Sequence, residues 1–241
     1  MISPNIFIPV LEEAHLIHKL DAHVLHAVAK MIRHCLDSHL PVLPVSVNLS
    51  RLDFISQDPF GTAEAIRQKY DLPLGLIQIE ITENALVDKM ESVLEGLQKF
   101  QQSGYPVLLD DFGSGYSSLN VLKDYNFDTI KFDMKFLHPF TEKSRKILKY
   151  LVSMSKDLAI HTLAEGAETQ EQCDFLREIG CEKIQGYYYG KPMPLRNSIN
   201  SAWIRACIWR PPPMPRCSAK PGSSTSISRS PQPSSTLILK S

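Results

Sequence analysis

The chain has 241 residues, 43% hydrophobic and 22% charged, with 26 Lys/Arg against 26 Asp/Glu, a composition that suits a globular protein of one large or two small domains. No apolar run approaches the ~20 residues of a membrane-spanning helix. The opening MISPNIFIPVLEEAH lacks a basic stretch, an apolar core and a small-residue cleavage site, so neither a membrane span nor a signal peptide is expected.

In chain order, Ser3-Pro4 fits a helix start, because proline pre-sets the helical φ and lacks only an N–H that has no partner in the first turn. Candidate strands follow at PVSVNLS (44–50), LIQIEIT (76–82), PVLLDD (106–111), TIKFDM (129–134), HTLAEG (161–166) and KIQGYYY (183–189). Helical stretches between them include Pro59–Lys69, Met90–Ser103, Lys143–Leu158 and Thr169–Ile179, with Gly180 as a helix stop. Strand followed by helix, six times over, predicts a parallel α/β fold.

The strands alternate. Val45, Val47 and Leu49 oppose Ser46, Asn48 and Ser50; Ile77, Ile79 and Ile81 oppose Gln78, Glu80 and Thr82; Ile130, Phe132 and Met134 oppose Thr129, Lys131 and Asp133. Strands of an open parallel sheet buried on both faces read as continuous apolar runs. One apolar face under helices and one polar face near the strand ends predict a TIM-like β/α barrel with a polar mouth; an open sheet is the alternative.

Past residue 195 the composition changes. Seven of the 26 Lys/Arg fall in Arg196–Ser241 with no Asp or Glu, which leaves 19 basic against 26 acidic residues, a net of −7, in the rest. Seven prolines, eleven serines and both tryptophans, Trp203 and Trp209, also lie there. Such a stretch has too little periodic apolar surface to offset its ordering entropy. The expected division is therefore a barrel domain over 1–195 and a disordered basic tail over 196–241. Five scattered cysteines (Cys35, Cys173, Cys181, Cys207, Cys217) show no CxxC or metal-finger spacing, as in a cytoplasmic chain with reduced thiols.

The polar residues at the strand ends are Asn48, Glu80, Asp110, Asp111, Lys131, Asp133, Glu165, Glu168 and Gln185. Successive strand ends are about one β/α unit apart, so a barrel would gather them at one face. Any one of them could be a cap or a surface charge. Together they form a set of hard oxygen donors suited to Mg²⁺ or Mn²⁺. Adjacent aspartates can serve two ions ~3.5–4 Å apart, and a lone lysine can hold water or a phosphate oxygen.

Asn48-Leu49-Ser50, Glu80-Ile81-Thr82-Glu83, DDFGSGYSSL (110–119), Lys131-Phe132-Asp133, Ala164-Glu165-Gly166-Ala167-Glu168 and Gln185-Gly186-Tyr187, after an FIPVLEEAHLI helix, resemble the EAL-domain cyclic di-GMP phosphodiesterases over about Ile2–Leu195. The resemblance implies a two-metal hydrolysis of cyclic di-GMP to linear pGpG. It makes Asn48, Glu80, Asp110 and Asp111 metal ligands, and Lys131, Glu165, Gln185 and Asp111 catalytic. By the same resemblance Gln185 contacts substrate, Asp133 and Glu168 contact substrate or the lysine, and Glu83 anchors the Gly113–Ser118 loop, through which the family links metal occupancy to homodimer contacts. Neither DNA nor RNA is an expected partner.

The sequence departs from that family in lacking a Glu-Ala-Leu triplet, whose strand precedes the FIP helix in relatives and whose glutamate ligates a metal. The expected barrel is thus incomplete, about six β/α units with the first two strands missing and an open edge at Val45–Leu49. The segment between Lys131 and Glu165 also looks about two residues short, a trim expected in the 137–143 loop. The alternative to an active phosphodiesterase is a non-catalytic EAL-like module that binds cyclic di-GMP or a protein partner. A third is a truncated product without stable function.

Overall fold

The computed structural model describes residues 2–86, 91–114, 118–191 and 237–238. The order is α1 (Pro4–Glu13), α2 (Ile17–Asp37), β1 (Val45–Asn48), α3 (Arg51–Ser56), α4 (Pro59–Lys69), β2 (Ile77–Thr82), α5 (Glu91–Gln102), β3 (Val107–Phe112), α6 (Ser118–Asp124), β4 (Thr129–Phe132), α7 (Glu142–Asp157), β5 (His161–Ala164), α8 (Gln170–Glu178), β6 (Lys183–Ile184) and β7 (Leu237–Ile238). Short 3₁₀ turns at Glu83–Leu86 and Met134–Phe136 follow β2 and β4.

Helix starts match their local chemistry. Ser3 stands at the N-terminus of α1 with Pro4 in the first turn, and Thr141 and Thr169 form capping boxes for α7 and α8. Each threonine satisfies an N–H that the helix itself leaves unpaired. The long α2, which the strand-and-helix pattern did not single out, buries Leu25, Val28, Ala29, Ile32 and Cys35 on one face.

The sheet runs β6-β5-β4-β3-β2-β1-β7, with every neighbouring pair parallel. Six of these strands form a curled half-barrel under helices, an incomplete TIM-like fold. Ile79, Ile81, Val107, Ile130 and Phe132 are buried with Phe100, Leu97, Leu148 and Val152 of the covering helices. Full burial of each such side chain stabilises by about 1.5–3 kcal/mol, so the helical layer keeps the sheet covered on its apolar face.

Three expectations about strand extent need correction. β4 stops at Phe132 because the Asp133 carboxylate accepts the Lys135 N–H and starts a 3₁₀ turn. β5 stops at Ala164, where the chain turns through Gly166 at φ 76°. β6 is only Lys183–Ile184; a Cβ on Gly186 would meet the Ala167 carbonyl oxygen, so the chain passes Ala167 too closely to stay in a ladder. The edge at Val45–Leu49 is not fully open either: Val45 pairs with Leu237 and Ser46 with Ile238. That pairing also brings two tail residues against the sheet. The rest of the tail, with Trp203 and Trp209, lies outside the described residues.

Candidate active site at the mouth of the half-barrel

Lys131 is the centre of the mouth. It projects from β4 with no exposed surface, and its Nζ lies 2.8 Å from Glu165 Oε1, 2.9 Å from Asp110 Oδ1 and 3.1 Å from Glu80 Oε1. These partners come from β2, β3 and the end of β5. Parallel neighbours with matched register put their inward-facing residues in one layer, which is why residues so distant in sequence meet here. Burial alone would lower the lysine's pKa, but the charges of Glu80, Asp110 and Glu165 outweigh it and hold the ammonium well above its ordinary value. Glu80 is fully buried and is pushed up chiefly by that burial, with Lys131 pulling it back and Asp110 adding to the rise.

Asp110 and Asp111 are neighbours in a strand, where successive side chains normally point to opposite faces. The ladder between β3 and β4 shifts register between Leu109 and Phe112, and Asp111 adopts a left-handed φ of 54°. A bulge of this kind re-aims a side chain, and aspartate tolerates the conformation better than most residues. The Asp111 N–H donates to Asp110 Oδ1 at 2.9 Å. As a result Asp110, Asp111 and Glu165 each offer a carboxylate oxygen within 4.8 Å of one another.

These donors fit a divalent cation. Four carboxylates, counting Glu80, converge with one ammonium, so the mouth carries excess negative charge where water is scarce; hard oxygen donors in that state suit Mg²⁺ or Mn²⁺. Gln185 Oε1 is also buried without a hydrogen-bond partner, and a buried acceptor left in that state costs about 1–3 kcal/mol. Water held at the mouth, donating an O–H, would satisfy it.

The other expected residues are placed as follows. Asn48 is half-buried at the end of β1 in register with Glu80. Glu83 is fully buried, and its Oε2 accepts the Gly113 N–H at 2.9 Å, at the start of the loop after β3. Gly113 sits at φ 93°, and a Cβ there would strike the Phe136 ring. Gly115, Tyr116 and Ser117 of that loop lie outside the described residues. Asp133 is buried, but both its oxygens are engaged by Lys135, through the N–H and Nζ. Glu168 is exposed on the turn before α8, where its N–H donates to Gln172 Oε1. The carboxylates paired with Lys131 among the described residues are those of Glu80, Asp110 and Glu165, and not those of Asp133 or Glu168. Sequence reasoning passed over Ser46, a buried residue beside Glu80 that favours its charged form. The inward alternation of β1, two residues before Asn48, carried that signal.

A family model described as EAL domain matches residues 1–192. An uncharacterized protein of Sinorhizobium fredii, y4lL, is 36% identical over 201 residues, which cover 82% of this chain and 24% of that protein. The cyclic di-GMP phosphodiesterase PdeR of Escherichia coli is 33% identical over 196 residues, covering 80% of this chain and 30% of PdeR. The chain thus spans about a quarter to a third of these curated relatives. Among solved structures, that described as PaMucR phosphodiesterase in complex with c-di-GMP aligns with a TM-score of 0.76 at 30% identity, over 82% of this chain and 81% of that one. The EAL domain of Mycobacterium smegmatis DcpA aligns with a TM-score of 0.68 at 26% identity, over 73% and 80%. The strand-end acids around Lys131, the glutamate-anchored loop and the match over nearly all described residues agree: this chain belongs to the EAL domain family.

Proposed function

We propose that the chain is a cyclic di-GMP phosphodiesterase that opens one phosphodiester bond to give linear pGpG. The observation that carries this reading is the Lys131 ammonium held by Glu80, Asp110 and Glu165 beside an Asp110–Asp111–Glu165 oxygen cluster, in a chain similar to PdeR and to the PaMucR complex. Asn48, Glu80, Asp110 and Asp111 would hold Mg²⁺ or Mn²⁺. Two such ions, when bound, lower the pKa of water and neutralise charge on the phosphoryl group.

The chain's own residues supply the rest. Lys131 is held among three carboxylates, so its positive charge is fixed at the mouth, where it would attract a phosphate oxygen and orient the acids around water. Glu165 accepts from that water, and Gln185 Oε1 gives it a second acceptor. Asp133 and Glu168 flank the mouth as contacts for substrate. Glu83, through Gly113, couples the mouth to the 113–118 loop, the surface we assign to a homodimer. The buried free thiols Cys35, Cys173 and Cys181 suit a reducing cytoplasm. Among the described residues no helix is long and apolar enough to cross a membrane.

The test is to incubate the purified chain with cyclic di-GMP and Mn²⁺, with and without chelator, and to separate the products. Metal-dependent pGpG supports the reading, and no turnover with retained nucleotide binding supports the second one. That second reading, a non-catalytic module that binds cyclic di-GMP or a protein partner, is favoured by one observation: no Glu-Ala-Leu triplet occurs in the sequence.

A further inference from the structure

The turn after β5 carries Glu165 and Glu168, and it is fastened from behind by a side chain that the chemistry above does not use. Gln172, in the first turn of α8, is 4% exposed. Its Oε1 accepts the Glu168 N–H at 2.8 Å and the Thr169 N–H at 3.1 Å, and its Nε2 donates to the Leu137 carbonyl at 3.1 Å. One buried carboxamide thus joins the 165–169 turn to the end of the 3₁₀ turn after β4. A second bond runs alongside. His138 Nε2 lies 3.0 Å from the Gly166 carbonyl oxygen, and because a carbonyl only accepts, that nitrogen carries the proton. The two turns also touch, since a Cβ on Gly166 would strike the Met134 Cβ.

The residue type shows which end of the carboxamide matters. A capping box needs only an acceptor at the third helical position, and glutamate supplies one as well as glutamine does. Glutamate would also gain from the positive end of the helix dipole. What it lacks when ionised is a donor, so the bond to Leu137 is the one that requires glutamine here. The bridge holds groups close to the chemistry. On one side Glu165 Oε1 sits 2.8 Å from Lys131 Nζ, and the Glu165 N–H donates to the Phe132 carbonyl at 3.1 Å. The Ala167 N–H donates to the Gln185 carbonyl at 3.2 Å, which ties the same turn to the end of β6. On the other side the 3₁₀ turn starts from Asp133, two residues after Lys131.

We propose that Gln172 is a positioning residue of the mouth: its carboxamide, with the His138 imidazole beside it, fixes the 165–169 turn against the 3₁₀ turn and so sets Glu165 relative to Lys131. It acts through Glu165 and makes no contact with substrate or metal. Its effect on hydrolysis rests on the phosphodiesterase reading; the bridge itself does not.

The test compares the full chain with Gln172→Glu, Gln172→Leu and His138→Leu by hydrogen exchange of single amides. In Q172E the two N–H partners and the helix start favour the ionised form. That carboxylate still accepts from Glu168 and Thr169 but cannot donate to Leu137. Protection of the Glu165 and Ala167 amides should then fall about tenfold, while that of Glu168 and Thr169 stays near wild type. Q172L should lose protection at all of these amides. With cyclic di-GMP and Mn²⁺, Q172E should lower kcat about tenfold and move KM less than about threefold. Wild-type protection at Glu165 and Ala167 in Q172E overturns the proposal, as does equal loss at Glu168 and Thr169, or an unchanged kcat in a chain that hydrolyses. Should Q172E not fold, H138L, which leaves the α8 cap intact, decides on the Glu165 and Ala167 amides alone. Absence of turnover in wild type would strike the phosphodiesterase reading and leave the exchange pattern to decide the bridge.

Discussion

The mouth of the half-barrel and the α2–α3 junction both bury acids, yet they compensate the charge differently. At the mouth Lys131 stands among Glu80, Asp110 and Glu165. At the junction the described groups that act on Asp21 and Asp53 include no lysine, and burial raises both carboxyls. An ammonium among carboxylates keeps its charge well past neutral pH and leaves acid oxygens for a cation. A buried carboxyl without such a cation is instead held above its ordinary pKa by burial. Charge at the mouth is thus balanced by a fixed cation, whereas at the junction it answers to pH.

The largest test of the contrast removes a ligand candidate. Asp110→Ala should abolish metal-dependent hydrolysis of cyclic di-GMP, a loss of at least about 10²-fold, while the circular dichroism of the fold persists; measurable turnover near wild type would separate the mouth from the chemistry. Next is Lys131→Met, which leaves three buried carboxylates without their cation. It should cost about 3–5 kcal/mol in urea unfolding, and added Mn²⁺ should restore part of that loss.

The junction should answer to pH instead. Asp21 has a folded pKa of about 8 against an ordinary value of 3.8, so between those values the folded state holds more protons than the unfolded one. Stability from this group is then fully present below about pH 4, declines as pH rises, and is gone above about 8. Urea midpoints taken from about pH 5 to 9 should show this decline in wild type, and Asp21→Asn should remove it.

A smaller effect is expected at Gly113. Gly113→Ala would place a Cβ at φ 93° against the Phe136 ring, a strain of about 1–3 kcal/mol, and should loosen the Glu83 anchor, seen as faster exchange of the residue 113 amide. The smallest is Glu171→Gln, which breaks an exposed pair with Arg145. It should shift stability by less than about 1 kcal/mol and leave hydrolysis unchanged.

The local patterns of this chain were enough to find most of the mouth. Period-two alternation placed Asn48, Glu80 and Lys131 on the polar face of their strands, and the β/α spacing placed their ends on one side of the sheet. Both are short-range consequences of side-chain direction and chain length, so they are written in neighbouring residues. The ends of β4, β5 and β6 were less legible, because Asp133, Gly166 and Gly186 stop the ladders through contacts with the next segment. The sequence by itself also determined the acid-rich composition of the mouth and the helix starts at Ser3 and Thr169. Only the tertiary structure decided three things. A register shift against β4 lets Asp110 and Asp111 serve one site although alternation would have parted them. Leu237–Ile238 pairs beside β1, and no local period announces which edge a distant segment will meet. Asp21 and Asp53 sit on different helices, and both carboxyls are raised only because packing takes them away from water; burial is a property of the folded chain.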